Sequence, residues 1–170
     1  MEIFLFIFPL LNFLLFQFFN HKIRTEHLYS LSIFLFGFTF ILSLYIFFKI
    51  INLDKDLPLF FYSLIKFDSL FVDWTLRFDL LVSVLIILVT FIGLLLIIYS
   101  TSISKNHSIN FKINSYISLS IFGVLVLISS NNLIQFFLGW YLIILSSYLI
   151  SSMLKNKIDN SNIFFQNRLS

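Results

Sequence analysis

Five long apolar runs, separated by polar segments, set the pattern of this chain: roughly Ile3–Phe19, Leu28–Phe48, Leu80–Tyr99, Ile113–Ser130 and Leu133–Met153. Crossing a bilayer core of about 30 Å takes about 20 helical residues. Each run therefore predicts a membrane helix. The fourth gives the weakest signal, because Asn114, Ser115 and further serines dilute it. Pro9 lies inside the first run, where a helix tolerates it if neighbours satisfy the freed carbonyl. That run starts Met1-Glu2, with no basic segment before it and no small-residue cleavage site after it. It is expected to be a retained helix rather than a leader. The expected fold is all-α and integral to the membrane, a single domain over residues 1–170.

A second periodicity interrupts the helical one. Leu70, Val72, Trp74, Leu76 and Phe78 alternate with Phe71, Asp73, Thr75, Arg77 and Asp79. Period two marks a half-buried strand. Phe60–Phe67 is the expected partner, with Asp68-Ser69 at the turn. The prediction is a short external β-hairpin between the second and third helices. The alternative is an extended interfacial loop anchored by Trp74 and Tyr62 at headgroup level. Near the end, Lys155–Asn162 is polar and Ile163, Phe164 and Phe165 are apolar again. This predicts the truncated start of a sixth helix over residues 162–170.

Charge orders the loops. Lys22 and Arg24 outweigh Glu26 in the first loop, and Lys105 and Lys112 stand without an acid in the third. Lys155, Lys157 and Arg168 outweigh Asp159 in the tail. The second loop instead sets Lys49, Lys55, Lys66 and Arg77 against Asp54, Asp56, Asp68, Asp73 and Asp79. Basic loops stay on the cytoplasmic or matrix side. The expected topology puts the N-terminus outside and the C-terminus inside, with five crossings.

Composition narrows the class. Charged residues make up 11% of the chain and hydrophobic ones 59%, with mean hydropathy +1.00. A water-facing exterior needs about 25% charged residues, so most of the surface must face lipid. With Cys 0, disulfides and thiolate chemistry are excluded. The net charge of +3 is scattered, whereas nucleic-acid binding requires a basic face. Phe occurs 25 times and Ala is absent. Close-packed membrane helices favour small residues, so packing does not demand this bias; AT-rich coding, as in organellar genomes, does.

Candidate chemistry is sparse. The predicted spans contain no Asp, Glu, Lys, Arg or His, the groups from which membrane proton relays are built. His21, His27 and His107 fall in loops and are expected to be solvated or headgroup-facing rather than metal ligands. Asn106-His107-Ser108 matches a glycosylation sequon on the predicted inner side, a match common by chance. There is no Gly-rich phosphate loop and no nucleophile–base set.

Three stretches carry a family resemblance. Val72–Tyr99 contains Trp74-Thr-x-Arg77-Phe-Asp79 ahead of a long apolar run. Tyr99-Ser100 and Ser115-Tyr116 flank the third loop. Asn132, Gln135, Gly139-Trp140 and Ser147-Tyr148 lie along the fifth run. In identity and spacing these resemble the hairpin, third helix and fifth helix of subunit 5 of the respiratory-chain NADH:ubiquinone oxidoreductase (complex I), an antiporter-like subunit. The likeness continues weakly to Phe165-Gln166-Asn167-Arg168, like the start of that family's sixth helix.

The resemblance implies the N-terminal part of subunit 5, in split or shortened form. Its implied setting is the mitochondrial inner membrane, among other membrane-arm subunits of complex I and membrane lipids. A second polypeptide would carry the remaining helices, and no cofactor would sit on this chain. Two departures affect function. Tyr141 stands where the family carries a glutamate after Gly-Trp, and Asn131 replaces an aspartate. A phenol can hydrogen-bond or orient water but is not the carboxyl of the family's channel, so this part is expected to be structural, with no catalytic residue of its own. The alternatives are another antiporter-like subunit, of complex I or of a cation/proton antiporter, and a non-catalytic membrane scaffold.

Overall fold

The computed structural model describes residues 2–18, 25–53, 57–67, 70–103 and 109–169, with side chains over 2–18, 27–52, 75–102 and 112–155. The elements in chain order are α1 (Phe4–Phe18), α2 (Thr25–Leu53), β1 (Leu57–Phe67), β2 (Leu70–Phe78), α3 (Leu80–Ile103), α4 (Ile109–Ile128) and α5 (Leu133–Leu169). Helix dominates because the apolar runs hold few breakers. Pro9 sits buried within α1, which continues through it.

Three helices are long and apolar enough to cross a membrane: His27–Asn52, Leu80–Ser102 and Leu133–Lys155. The five full-length spans expected from the sequence reduce to these three among the described residues. The apolar stretches Phe4–Phe18 and Lys112–Ile128 are shorter when counted over residues whose side chains are described, although α4 itself runs 20 residues, Ile109–Ile128. At 1.5 Å per residue, α1's 15 residues rise only about 22 Å. The fifth helix differs from expectation in the opposite direction. Instead of stopping near Met153 before a separate sixth helix, α5 is one element to Leu169. Lys155–Asn162 is polar but holds neither Pro nor Gly, and polarity alone does not break a helix.

The strands pair antiparallel from Phe67↔Leu70 to Leu57↔Phe78, with register shifts between Phe60/Tyr62 and Ser63/Ile65. Phe61 and Leu64 are the extra residues. They account for the length difference between β1, 11 residues, and β2, 9 residues, as two β-bulges do. Both strands are edges, so Pro58, opposite Arg77, interrupts no interior ladder.

The core gathers around α4, which packs against α1, α3 and α5, while α2 packs against α1 and α3. Its buried members are Leu5 and Phe6 of α1, Phe36, Ile46 and Ile50 of α2, and Ile86 and Ile97 of α3. Ile121, Leu125 and Val126 of α4 complete it, with Leu76 and Phe78 of β2. Polar bonds reinforce separate helix pairs. Asn12 Nδ2 donates to Ser118 Oγ at 2.6 Å between α1 and α4. Asn114 Nδ2 donates to Ser32 Oγ at 3.3 Å between α4 and α2. Thr90 Oγ1 donates to Ser43 Oγ at 3.0 Å between α3 and α2. Lipid is as apolar as the side chains, so such bonds and close packing, rather than hydrophobic burial, hold membrane helices together.

At one end of the bundle Lys49 Nζ meets Glu2 Oε1 at 2.7 Å. Burial pushes the Glu2 carboxyl up, but the Lys49 hydrogen bond and charge outweigh it and hold the group at about 2, below the ordinary 4.5. A depressed carboxylate stabilises above its unfolded pKa, and that contribution is lost as pH falls through the folded one. The difference in thermal midpoint between wild type and Glu2→Gln should therefore be complete at pH 7 and close between pH 4.5 and about 2. A pH-independent gap would mean that this charge does not act.

Candidate functional site on the fifth helix

The turn between α4 and α5 is fastened to the base of the hairpin. Arg77 N donates to Ser129 O at 3.0 Å, and Leu76 bridges Ser130. Asn131 Nδ2 donates to Thr75 Oγ1 at 3.0 Å. Arg77 Nε donates to Asp79 Oδ1 at 2.7 Å. Asp79 O accepts from Ser83 N at 2.9 Å to start α3, and Asn132 O accepts from Phe136 N at 3.0 Å to start α5. Asp and Asn are favoured where helices begin. Arg77, Asp79, Asn131 and Asn132 thus share one end of the bundle. Trp74 pairs with Tyr62 in the ladder, and its side chain lies outside the described residues. The Arg168 side chain does too, although its backbone continues α5.

From there α5 divides into two faces. Gln135, Gly139 and Ser146 point inward and are buried. Gln135 is 3% exposed, and neither atom of its amide has a protein partner. Gly139 lies directly over the α4 backbone. A Cβ there would sit 2.7 Å from Leu127 N and 2.9 Å from Gly123 O, the donor and acceptor of one helical turn. Gly123 reciprocates: its own Cβ would lie 3.2 Å from Gly139 O. Two glycines facing across the crossing let the backbones touch.

The opposite face is bare. Tyr141 is 63% exposed and Tyr148, two turns on, 70%. Ile134, Phe137 and Ile144 lie along the same stripe and are also exposed. Trp140 is exposed and stacks on Phe136, ring centroids 6.2 Å apart. Ser147 Oγ returns to Ile144 O at 2.8 Å, which satisfies the hydroxyl within the helix. Tyr141 and Gly139 therefore point in different directions: the glycine into the bundle, the phenol away from α1–α4.

No protein-family model matches the chain. Curated relatives do. It is 34% identical over 108 residues to NADH-ubiquinone oxidoreductase chain 5 of Chondrus crispus, covering 64% of this chain and 16% of that protein. Against the protein of the same name from Acanthamoeba castellanii it is 34% identical over 119 residues, covering 66% and 17%. The chain is a homologue of part of NADH-ubiquinone oxidoreductase chain 5. NADH-quinone oxidoreductase subunit L of Rickettsia typhi is also similar, 35% identical over 86 residues, covering 51% of this chain and 13% of that one. The chain spans about a sixth of the length of the first two chain 5 relatives, 16% and 17%.

Sequence reasoning missed one polar assembly. Asn12 and Asn114 are both fully buried and lie in one hydrogen-bonded group with Ser118 and Ser32. The available signal was an amide inside each of two apolar runs, since polar groups at membrane depth are costly.

Proposed function

We propose that the chain is a membrane-arm subunit of a proton-translocating NADH:ubiquinone oxidoreductase, corresponding to the N-terminal portion of subunit 5. The similarity to chain 5 and subunit L relatives carries this reading, and the three span-length apolar helices support a membrane setting. The chain resides in the mitochondrial inner membrane as a single membrane domain. All five helices lie in the bilayer, with α1 the shortest over the described residues. The N-terminus and the hairpin face the intermembrane space, and the C-terminus faces the matrix. The basic first and third loops favour this orientation.

Within the complex this portion is structural. Tyr141 occupies the place of the family's channel glutamate and puts a hydroxyl where that family has a carboxyl. The apolar and aromatic stripe of Phe137, Tyr141, Ile144 and Tyr148, exposed here, is covered in the assembly by a second polypeptide bearing the remaining subunit 5 helices. Neighbouring membrane-arm subunits and lipids complete the surroundings.

The absence of cysteine makes a direct test available. In the intact assembly, Tyr148→Cys carrying a short thiol-attached photoreactive group should cross-link to another polypeptide on illumination. Cross-linking to lipid alone would contradict the covered face. Tyr141→Phe keeps the ring and removes only the hydroxyl. NADH-driven proton pumping should remain close to wild type with this variant. A large loss of pumping with assembly preserved would assign the hydroxyl a proton role.

A further inference from the structure

α3 and α5 differ in what they turn outward. The buried positions of α3 are Ser83, Ile86, Thr90, Gly93, Ile97 and Thr101, four of the six small or polar. They meet neighbouring helices: Thr90 Oγ1 donates to Ser43 Oγ of α2, and Gly93 lies against the Ile121 side chain of α4. The exposed positions of α3 from Leu80 to Ile98 carry hydrocarbon alone, Leu81, Val84, Leu88, Phe91 and Leu95 among them. Phe91 meets Phe40 of α2, ring centroids 5.6 Å apart, so the apolar surface continues onto α2. Tyr99 ends it on α3, near the end of the span, where a phenol suits headgroup level.

On α5 polar groups occupy both sides. Gln135, Gly139 and Ser146 face inward, while Trp140, Tyr141, Ser147, Tyr148 and Ser151 face outward. The hydroxyls of Ser147 and Ser151 return to carbonyls of their own helix; a phenol is too long to do so. Acyl chains offer no hydrogen-bonding group, and small and polar residues mark the contacts between membrane helices. By that rule α3 has protein on one side and α5 on both. On the membrane-arm reading above, we propose that acyl chains of membrane lipid cover the outer face of α3 from Leu81 to Ile98 in the assembly. The lipid boundary of the complex then passes along α3, and α5 lies behind it.

Photolabelling from the lipid side tests this without altering the protein. Native membranes are loaded with phosphatidylcholine that carries a diazirine near the middle of one acyl chain. After illumination the NADH-oxidising assembly is isolated, and adducts on this chain are mapped by mass spectrometry. The segment Leu81–Ile98 should carry several times the adduct found on Phe137–Tyr148. Equal labelling of the two segments would overturn the proposal. So would an unlabelled α3 in an assembly whose other chains are labelled. The same digest shows whether the chain is in that assembly at all, so failure of the lipid face and failure of the membrane-arm reading are told apart.

Discussion

Gly139→Ala is expected to destabilise the chain by about 3 kcal/mol, the upper range for overpacking a tight contact. The added Cβ would meet Leu127 N at 2.7 Å, and Leu127 Cα and Gly123 O at 2.9 Å. All three are backbone atoms within one turn of α4, so no side chain can swing aside. The helices must separate, which would also loosen the neighbouring contacts of Gly123 with Leu142 and Ile143. Two other glycines calibrate the effect. At Gly93 the new Cβ would meet only the Ile121 side chain, nearest atom 2.9 Å, which can partly yield. At Gly37 the nearest atom is Leu94 Cδ1 at 3.9 Å, ordinary van der Waals contact. Thermal midpoints in mild detergent should fall in the order Gly139→Ala, Gly93→Ala, Gly37→Ala, the first losing most. Equal midpoints for Gly139→Ala and Gly37→Ala would contradict the crossing.

Phe78→Ala should cost a similar amount, about 3–5 kcal/mol by the usual cavity penalty for a buried aromatic. Phe78 is fully buried and meets Phe6 edge-on, with centroids 6.4 Å apart at 67°. It shares the core with Leu5 of α1 and Leu76 of its own strand. The same segment holds the α4–α5 turn through Arg77 N and Ser129 O. Truncation should therefore also speed hydrogen exchange at the Arg77 amide. Phe137→Ala removes an equal ring from the exposed stripe of α5. In the isolated chain it should cost almost nothing. A Phe78→Ala midpoint close to that of Phe137→Ala would show that the hairpin base is not anchored by this ring.

Much of this architecture was legible in the sequence, because period and length are local properties. The apolar runs place all five helices, and the starts of α3 and α5, after Asp79 and Asn132, fall where the composition changes. Helix ends were less legible. Nothing in Lys155–Asn162 stops α5, and solvation of a helix cannot be seen from its residue types. The facing of α5 was less legible still. Gly139 and Tyr141 are two residues apart, so helix geometry turns them to different sides, but their residue types do not say which side meets a neighbour. Tertiary packing decides which: the close approach of α4 claims the glycine's side and leaves the tyrosine's side open. The Asn12–Ser118–Asn114–Ser32 group escaped because its members are 106 and 82 residues apart in their two side-chain bonds. No local period reports such a pairing.

The central claim, membership in NADH:ubiquinone oxidoreductase, has one direct measurement. Membranes from the source are solubilised in mild detergent, resolved on a native gel and stained for NADH dehydrogenase activity. The active high-mass band is then analysed by mass spectrometry for peptides of this chain. The account predicts that the chain is present in that band in amounts comparable to the other membrane-arm subunits. Its absence from the band, with the chain found elsewhere in the same gel, would contradict the assignment.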